Sequence, residues 1–277
     1  MKPKKHLGQN FLKKESVARD LVRAAKINTE DVVVEVGPGM GAITTLLLRS
    51  AKKVVAVEKD RELVLYLKKK FAKEIGEGKL LLVHTDILDF NPSAYRLEPS
   101  AYIVVGAIPY FITGALFKYF LSMGEQPRTI AFIVQKEVAE RIVARGSKES
   151  ILSLSIKVYG TPHYIKTIPA NAFYPTPKVD SAILVIEYVS KQFFNPLNLP
   201  TYLPTLNVGK LSSEKEFFGL VRAGFSSKRK KLISNLKKRF PQTNFEGIFN
   251  DLKIDENIRA EDLTLEEWRK IFLAINP

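Results

Sequence analysis

A short apolar run followed by a stretch of helical periodicity recurs along this chain, and that alternation leaves few folds open. "DVVVEV" (Asp31–Val36) precedes "GAITTLLLRS", and "KVVAVE" (Lys53–Glu58) precedes "RELVLYLKKKFAKE". "KLLLVH" (Lys79–His84) is a third run, and "YIVVG" and "TIAFIV" (Thr129–Val134) flank the helical "GALFKYFLSM". Strands this apolar have no face to give to water. They must be covered on both sides, and helices between them make the crossovers parallel. The expected fold is α/β, a parallel sheet between helical layers. Two later runs, near "TPHYIKTI" and "SAILVIEY", follow the helical stretch that begins "QKEVAERIV" and are expected to add a hairpin at the edge.

The pattern changes after about Val189. Residues 190–210 carry three prolines and little periodicity, and read as a linker. Beyond it the patterning is helical only. The expected organisation is a ligand-binding domain over residues 1–189, the linker, and a small helical domain over 211–277. A chain of 277 residues suits one large domain and a small one.

Composition removes several kinds of chemistry. The chain has no cysteine, so neither a disulfide nor a thiolate nucleophile can form. Its three histidines, His6, His84 and His163, are scattered and have no metal-ligand spacing. No apolar run reaches the ~18–20 residues of a membrane span, and no apolar segment follows the N-terminal lysines. The cytoplasm is the simplest address.

Charge points to a partner. Forty-three Lys and Arg stand against 29 Asp and Glu, a net charge of +14. A lysine-rich solvated surface would account for the total, but the charge is also segregated. Val221–Phe245 holds Arg222, Lys228, Arg229, Lys230, Lys231 and Lys237 to Arg239, and no acid. The first 26 residues hold eight bases against Glu15 and Asp20. Clusters of this kind fit contacts to nucleic-acid phosphates.

"EVGPGMG" (Glu35–Gly41) follows the first strand and opens the first helix. Glycines there let the backbone approach a ligand and aim helix N–H groups at it; a tight structural turn would need them equally. Glu58 closes the next strand, where a carboxylate can accept from both hydroxyls of a ribose. The pair fits NAD as well as S-adenosylmethionine. The G-x-G-x-G spacing favours the second, as does Glu35, which is badly placed for a pyrophosphate and suits an amino-acid-bearing sulfonium. Asp86 in "HTDILDF" stands where a carboxylate accepts from an adenine amino group, and equally where one caps a turn.

"YIVVGAIPYFITG" (Tyr102–Gly114) is a strand that Gly106 is expected to break and Pro109 to end. The end of the fourth strand lies on the edge where open α/β sheets bind ligands, so Tyr110 could offer a stacking face there. "AFYPTPKVDSA" (Ala172–Ala182) sets Phe173 before two prolines. Two aromatic faces are what a base drawn out of a helix requires. Taken singly, either ring reads as an ordinary core or loop aromatic.

Over nearly its whole length the chain resembles the small-subunit ribosomal RNA adenine N6,N6-dimethyltransferases of the KsgA type. The matching pieces are "KKHLGQNFL", "EVGPGMGAIT", "AVEKD", "TDIL", "GAIPYFIT", "FYPTPKVDSA", "RAGFSSKRKKLISNL" and "RAEDLTLEEW". The resemblance implies a Rossmann-like class I methyltransferase sheet with a C-terminal helical RNA-binding domain. It implies transfer of methyl groups from S-adenosylmethionine to two adjacent adenosines near the 3′ end of small-subunit rRNA, by a monomer without a metal. By the same resemblance Gln9, Asn10 and Leu12 line the methionine end of the cofactor site, with Gly37 and Gly39 as its floor. Glu58 holds the ribose, and Asp86 with the Ile87 backbone reads the adenine. Ile108 supplies a carbonyl to the target amine, and Tyr110 and Phe173 sandwich the target base. A basic helix carrying Lys228 to Lys231, with Arg222 and the N-terminal arm, grips RNA. Ala107 falls, by the same resemblance, at a catalytic position that also borders the cofactor, and there the chain departs: the family motif has asparagine. Three other readings stand beside this one: a large-subunit adenine methyltransferase of the macrolide-resistance type, an assembly factor that binds RNA and transfers nothing, and an NAD oxidoreductase.

Overall fold

In the computed structural model, which describes residues 2–194 and 214–275, the apolar runs pair into a seven-stranded sheet. The strands of the described residues are β1 (Phe11–Leu12), β2 (Val32–Val36), β3 (Lys53–Glu58), β4 (Leu80–His84), β5 (Tyr102–Ala107), β6 (Thr129–Gln135), β7 (Thr161–Ile168), β8 (Phe173–Tyr174) and β9 (Ser181–Glu187). The order in the large sheet is β4-β3-β2-β5-β6-β9-β7. Its first five strands are parallel, and β9 runs antiparallel to both β6 and β7. Strands β1 and β8 pair with each other. Helices α1 (Glu15–Ala24), α2 (Ala42–Ser50), α3 (Arg61–Lys70), α4 (Ala72–Gly76), α5 (Thr113–Ser122) and α6 (Lys136–Ile142) connect the strands. Among the described residues, no helix is long and apolar enough to cross a membrane.

The inner strands are buried on both faces, as their composition requires: Val33, Val34, Val54, Ile103, Val104 and Val105 have at most traces of exposure. β7 and β9 do form an antiparallel pair, but β9 is the inner strand and β7 the edge. Burial follows. β9 is covered over six consecutive residues, five of them apolar, whereas β7 is exposed or partly exposed until Ile168.

Gly106 does not break β5. The strand continues through it to Ala107, with Gly106 paired to Val36 and Phe132. A Cβ at Gly106 would sit 2.7 Å from the Val36 carbonyl oxygen. This glycine lets the two strands come close rather than ending one of them.

Chain contacts divide the protein into two compact units, Met1–Glu140 with Gly160–Ser190, and Arg141–Tyr159 with Lys191–Pro277. The second unit thus takes in a segment that the sequence pattern assigns to the first domain. It contains α7 (Ile151–Lys157), whose start is fixed by reciprocal Ser150 and Ser153 caps and whose Leu154 and Ile156 are buried. It also contains α8 (Glu214–Gly224), α9 (Leu232–Arg239), α10 (Phe245–Asp251) and α11 (Leu265–Ile275). Phe217, Leu236, Phe245, Phe249 and Trp268 form its interior. Most of the expected linker, residues 195–210, lies outside the described residues. Its beginning is no linker: Gln192–Phe194 is a 3-10 turn, and the Phe193 ring packs edge-on to Phe217 at 5.1 Å.

Candidate active site

Parallel strands bring their carboxyl ends to one edge of a sheet, and the loops leaving that edge build the site. Between β2 and α2 the backbone takes left-handed conformations at Gly37 (φ 63°) and Gly39 (φ 57°). Nothing lies within 4 Å of where a Gly37 Cβ would be, so that space is left open to a ligand. Glu58, at the end of β3, is nearly buried. One of its oxygens accepts the Asp60 N–H at 2.8 Å and the other the Gly39 N–H at 3.3 Å. Burial raises the Glu58 pKa above the usual carboxylate range, against those two hydrogen bonds. The glycine loop and the acid are therefore joined directly.

Asp86 follows β4. One oxygen accepts the Leu88 N–H and caps a short turn, and the other meets the Lys59 ammonium at 2.7 Å. Partial burial opposes its charge, but Lys59 and the N–H outweigh that and hold its pKa low. Asp86 is thus a turn cap that also lines a cavity.

One cavity gathers Gln9, Asn10, Gly37, Gly39, Glu58, Asp86 and Ile87 with Ala107, Ile108, Tyr110 and Phe173. Tyr110 opens a 3-10 turn directly after β5, and its hydroxyl lies 2.7 Å from that of Ser181. Leu12 is not in the lining. Alternation in β1 turns Phe11 toward the cavity and Leu12 against the core, with Leu12 paired in register to Phe173. The cavity also takes in Phe111, which is 70% exposed.

Gln9 reaches outward as well. Its amide donates to Asp60 at 2.8 Å, and the Lys4 ammonium meets the other Asp60 oxygen at 2.7 Å. Asp60 also caps α3 through the Glu62 N–H. The arm before β1 is therefore fastened beside Glu58. Lys4, Lys59 and Asp60 carry no individual sequence signal for these contacts, because each ion pair joins residues far apart in the chain.

Glu35 differs from expectation. It lies on the inner strand β2, is fully buried and does not line the cavity. Burial pushes its pKa up to about 8; the Glu58 charge adds to the rise, and Thr44 opposes it. Unfolded, the same group ionises near 4.5. Its contribution to stability is complete below about 4.5 and is lost as pH rises toward about 8, because the unfolded chain releases the proton first. The loss amounts to roughly 5 kcal/mol at 1.36 kcal/mol per pKa unit. Glu35→Gln, which cannot ionise, is expected to remove that slope. Melting curves from pH 5 to 9 should show the parent falling relative to the variant; parallel curves would exclude a buried, protonated Glu35.

In the second unit Arg222 lies on α8 and is exposed. Lys228 to Lys231 are exposed but not helical: they occupy the turn before α9, which starts at Leu232. The Lys230 N–H closes that turn on the Ser227 carbonyl. Buried Asn235 pins its start through the Gly224 and Ser227 carbonyls. Among the described residues no group of three or more His, Cys, Asp or Glu could hold a metal ion.

Comparison with known proteins adds the following. The family model described as ribosomal RNA adenine dimethylase matches residues 1–276. A protein of Dehalococcoides mccartyi named ribosomal RNA small subunit methyltransferase A is 37% identical over all of this chain and 90% of its own length. One of the same name from Fusobacterium nucleatum is 34% identical over 96% of this chain and 95% of its own. Among solved structures, a dimethyladenosine transferase from Plasmodium falciparum has a TM-score of 0.76 at 24% identity, covering 96% of this chain and 97% of that one. The 23S rRNA methyltransferase ErmE has 0.74 at 24% identity, covering 95% and 98%. At that identity the two structures speak for the fold.

Proposed function

The chain belongs to the ribosomal RNA adenine dimethylase family, and from that premise we infer that it dimethylates N6 of two adjacent adenosines in the 3′-terminal hairpin of small-subunit rRNA. Its cofactor is S-adenosylmethionine. The observation that carries the reading is one cavity in which Glu58 and Asp86 meet Tyr110 and Phe173. The family match sets the oxidoreductase reading aside. The full-length relatives carry small-subunit names, so the large-subunit reading is set aside.

The residues present fit the cofactor. Gly37 and Gly39 leave backbone where side chains would intrude, and Glu58 keeps lone pairs free for two ribose hydroxyls. Asp86 and the Ile87 N–H would take the adenine, and Gln9 and Asn10 would close the methionine end. When bound, S-adenosylmethionine supplies a methyl group activated by a sulfonium. The chain's own work is to hold the acceptor. Tyr110 and Phe173 grip the target ring on its two faces. The Ile108 carbonyl accepts one N–H of the amine and favours the tetrahedral form, whose lone pair is free of the ring. No general base is required, since the proton can leave to water after transfer.

Calorimetry tests the cofactor assignment: S-adenosylhomocysteine should bind saturably and NAD should not. NAD binding alone would overturn it.

The RNA is held by phosphate contacts from the N-terminal arm and from Arg222 and Lys228 to Lys231. The protein acts as a monomer in the cytoplasm on the immature small subunit. Binding should weaken steeply with salt. Reversing Lys228, Arg229 and Lys231 to glutamate is expected to flatten the log–log slope by roughly two to three. An unchanged slope would mean that this turn does not meet RNA.

A further inference from the structure

Two consecutive residues at the head of β9, Asp180 and Ser181, each reach a different wall of the cavity. The Ser181 hydroxyl lies 2.7 Å from that of Tyr110. The Asp180 carboxylate accepts the Ala170 N–H at 2.9 Å, and Ala170 begins the 3-10 turn Ala170–Ala172 that leads straight into Phe173. We propose that this dipeptide sets the spacing of the two aromatic walls, so that Asp180 and Ser181 are positioning residues for the target base. The proposal rests on the reading of Tyr110 and Phe173 as the faces that grip the adenine.

The anchor is held by the sheet on both sides. Ser181 is fully buried, and its strand is the inner one: it pairs with Gln135 of β6 and with Ile168 of β7. The Asp180 carbonyl accepts the Lys136 N–H at 3.0 Å, which ties the same point to the end of β6. Neighbouring Cα atoms are a fixed ~3.8 Å apart, and both residues are tied to the end of β6. One dipeptide can therefore hold two walls at a constant separation.

The Tyr110 ring needs such a tether. It follows Pro109, lines the cavity and is only half-buried, so packing alone leaves its torsions soft. Its hydroxyl adds nothing to stacking. A hydroxyl-to-hydroxyl bond fixes the ring's tilt while leaving its face clear. Phe173 has no polar handle, and its turn is fixed instead, by Asp180 on one side and by the Lys13 N–H to the Ala172 carbonyl, 2.8 Å, on the other. The two rings are positioned differently because only one carries a hydrogen-bonding group.

The test is single-turnover methyl transfer to undermethylated small subunits at saturating cofactor, in the parent chain and in parallel in an Ala107→Asn background. Ser181→Ala and Tyr110→Phe should each slow transfer about tenfold, and the double variant should be no slower than either. The subunit concentration at half-maximal rate and the affinity for S-adenosylhomocysteine should stay within twofold. Asp180→Ala should also slow transfer, and Asp180→Asn, which keeps an acceptor oxygen, should restore most of it. Additive losses in the double variant, or a parental rate in Ser181→Ala, would overturn the proposal, as would equal losses in Asp180→Asn and Asp180→Ala. Tyr110→Ala and Phe173→Ala separate the two levels. If both transfer normally, the aromatic grip itself is wrong and the proposal falls with it. If both are slow while Ser181→Ala and Asp180→Ala are normal, only the positioning role fails.

Discussion

Replacing Ala107 with asparagine is expected to raise single-turnover methyl transfer to adenine N6 about a hundredfold, the size of effect associated with one positioned hydrogen bond at a reacting centre. Ala107 lines the cavity as the last residue of β5, in register with Ile133 of β6. Its Cβ is therefore fixed at the cavity wall. The amine's lone pair is delocalised into the adenine ring. Two acceptors, each taking one N–H, would favour the tetrahedral amine, and in the proposed function the Ile108 carbonyl is one of them. The asparagine side chain would supply the second acceptor at the end of a strand already held in register with β6, so little else has to move. The gain belongs to the chemical step and much less to cofactor affinity, because the contact strengthens as the amine leaves the ring plane. It should be larger for the first methyl than for the second, since a monomethylated amine has one N–H left. Unchanged transfer at saturating cofactor would turn the assignment toward an RNA-binding assembly factor.

The sheet could be read from the sequence because each inner strand carries its own evidence. A run such as Val32–Val36 can hardly be other than doubly covered, and five such runs with helices between them leave one arrangement. The insertion of β9 between β6 and β7 could not be read, because an antiparallel hairpin looks the same whichever of its strands lies inward. Gly106 misled for a related reason. A glycine that ends a strand and a glycine that lets two strands approach are identical in sequence, and only the Val36 carbonyl 2.7 Å away tells them apart. The segment 141–159 carries helical periodicity that says nothing about which core it joins.

Glu58, Asp86, Tyr110 and Phe173 can be singled out in the sequence because they stand at fixed offsets from strands and glycines, and all four line one cavity. What escaped was the layer behind them. Lys59 on Asp86, Asp60 on Gln9 and Lys4, and Ser181 on Tyr110 are contacts between residues 27 to 71 positions apart, with a shorter reach in no case. Glu35 failed in the opposite direction. A carboxylate beside a glycine motif reads as a ligand group, yet the alternation that aims Val36 at the cavity turns Glu35 into the core.

Glu58→Ala is expected to weaken S-adenosylhomocysteine binding by a hundredfold or more. A carboxylate offers four lone pairs. The Asp60 and Gly39 N–H groups use two, leaving one on each oxygen for two ribose hydroxyls. Two hydrogen bonds to a charged acceptor are worth roughly 3–6 kcal/mol together, and the alanine loses both. It also strips the acceptor from two backbone N–H groups that shape the glycine loop, so a loss of affinity alone could reflect a disordered loop. Glu58→Gln separates these causes. Its one carbonyl oxygen can keep the Asp60 N–H and one hydroxyl, so it should lose about tenfold in affinity and little in melting temperature. The pH dependence gives an independent check. Burial raises the Glu58 pKa, so the charged acceptor is lost as pH falls at a higher pH than for an exposed glutamate. Parental affinity should therefore fall on acidification, and the fall should be shallower in Glu58→Gln, whose remaining slope reports Asp86 and the ligand. If Glu58→Ala binds within threefold of the parent at neutral pH, the ribose is not held at this carboxylate, and the cofactor lies elsewhere along the cavity.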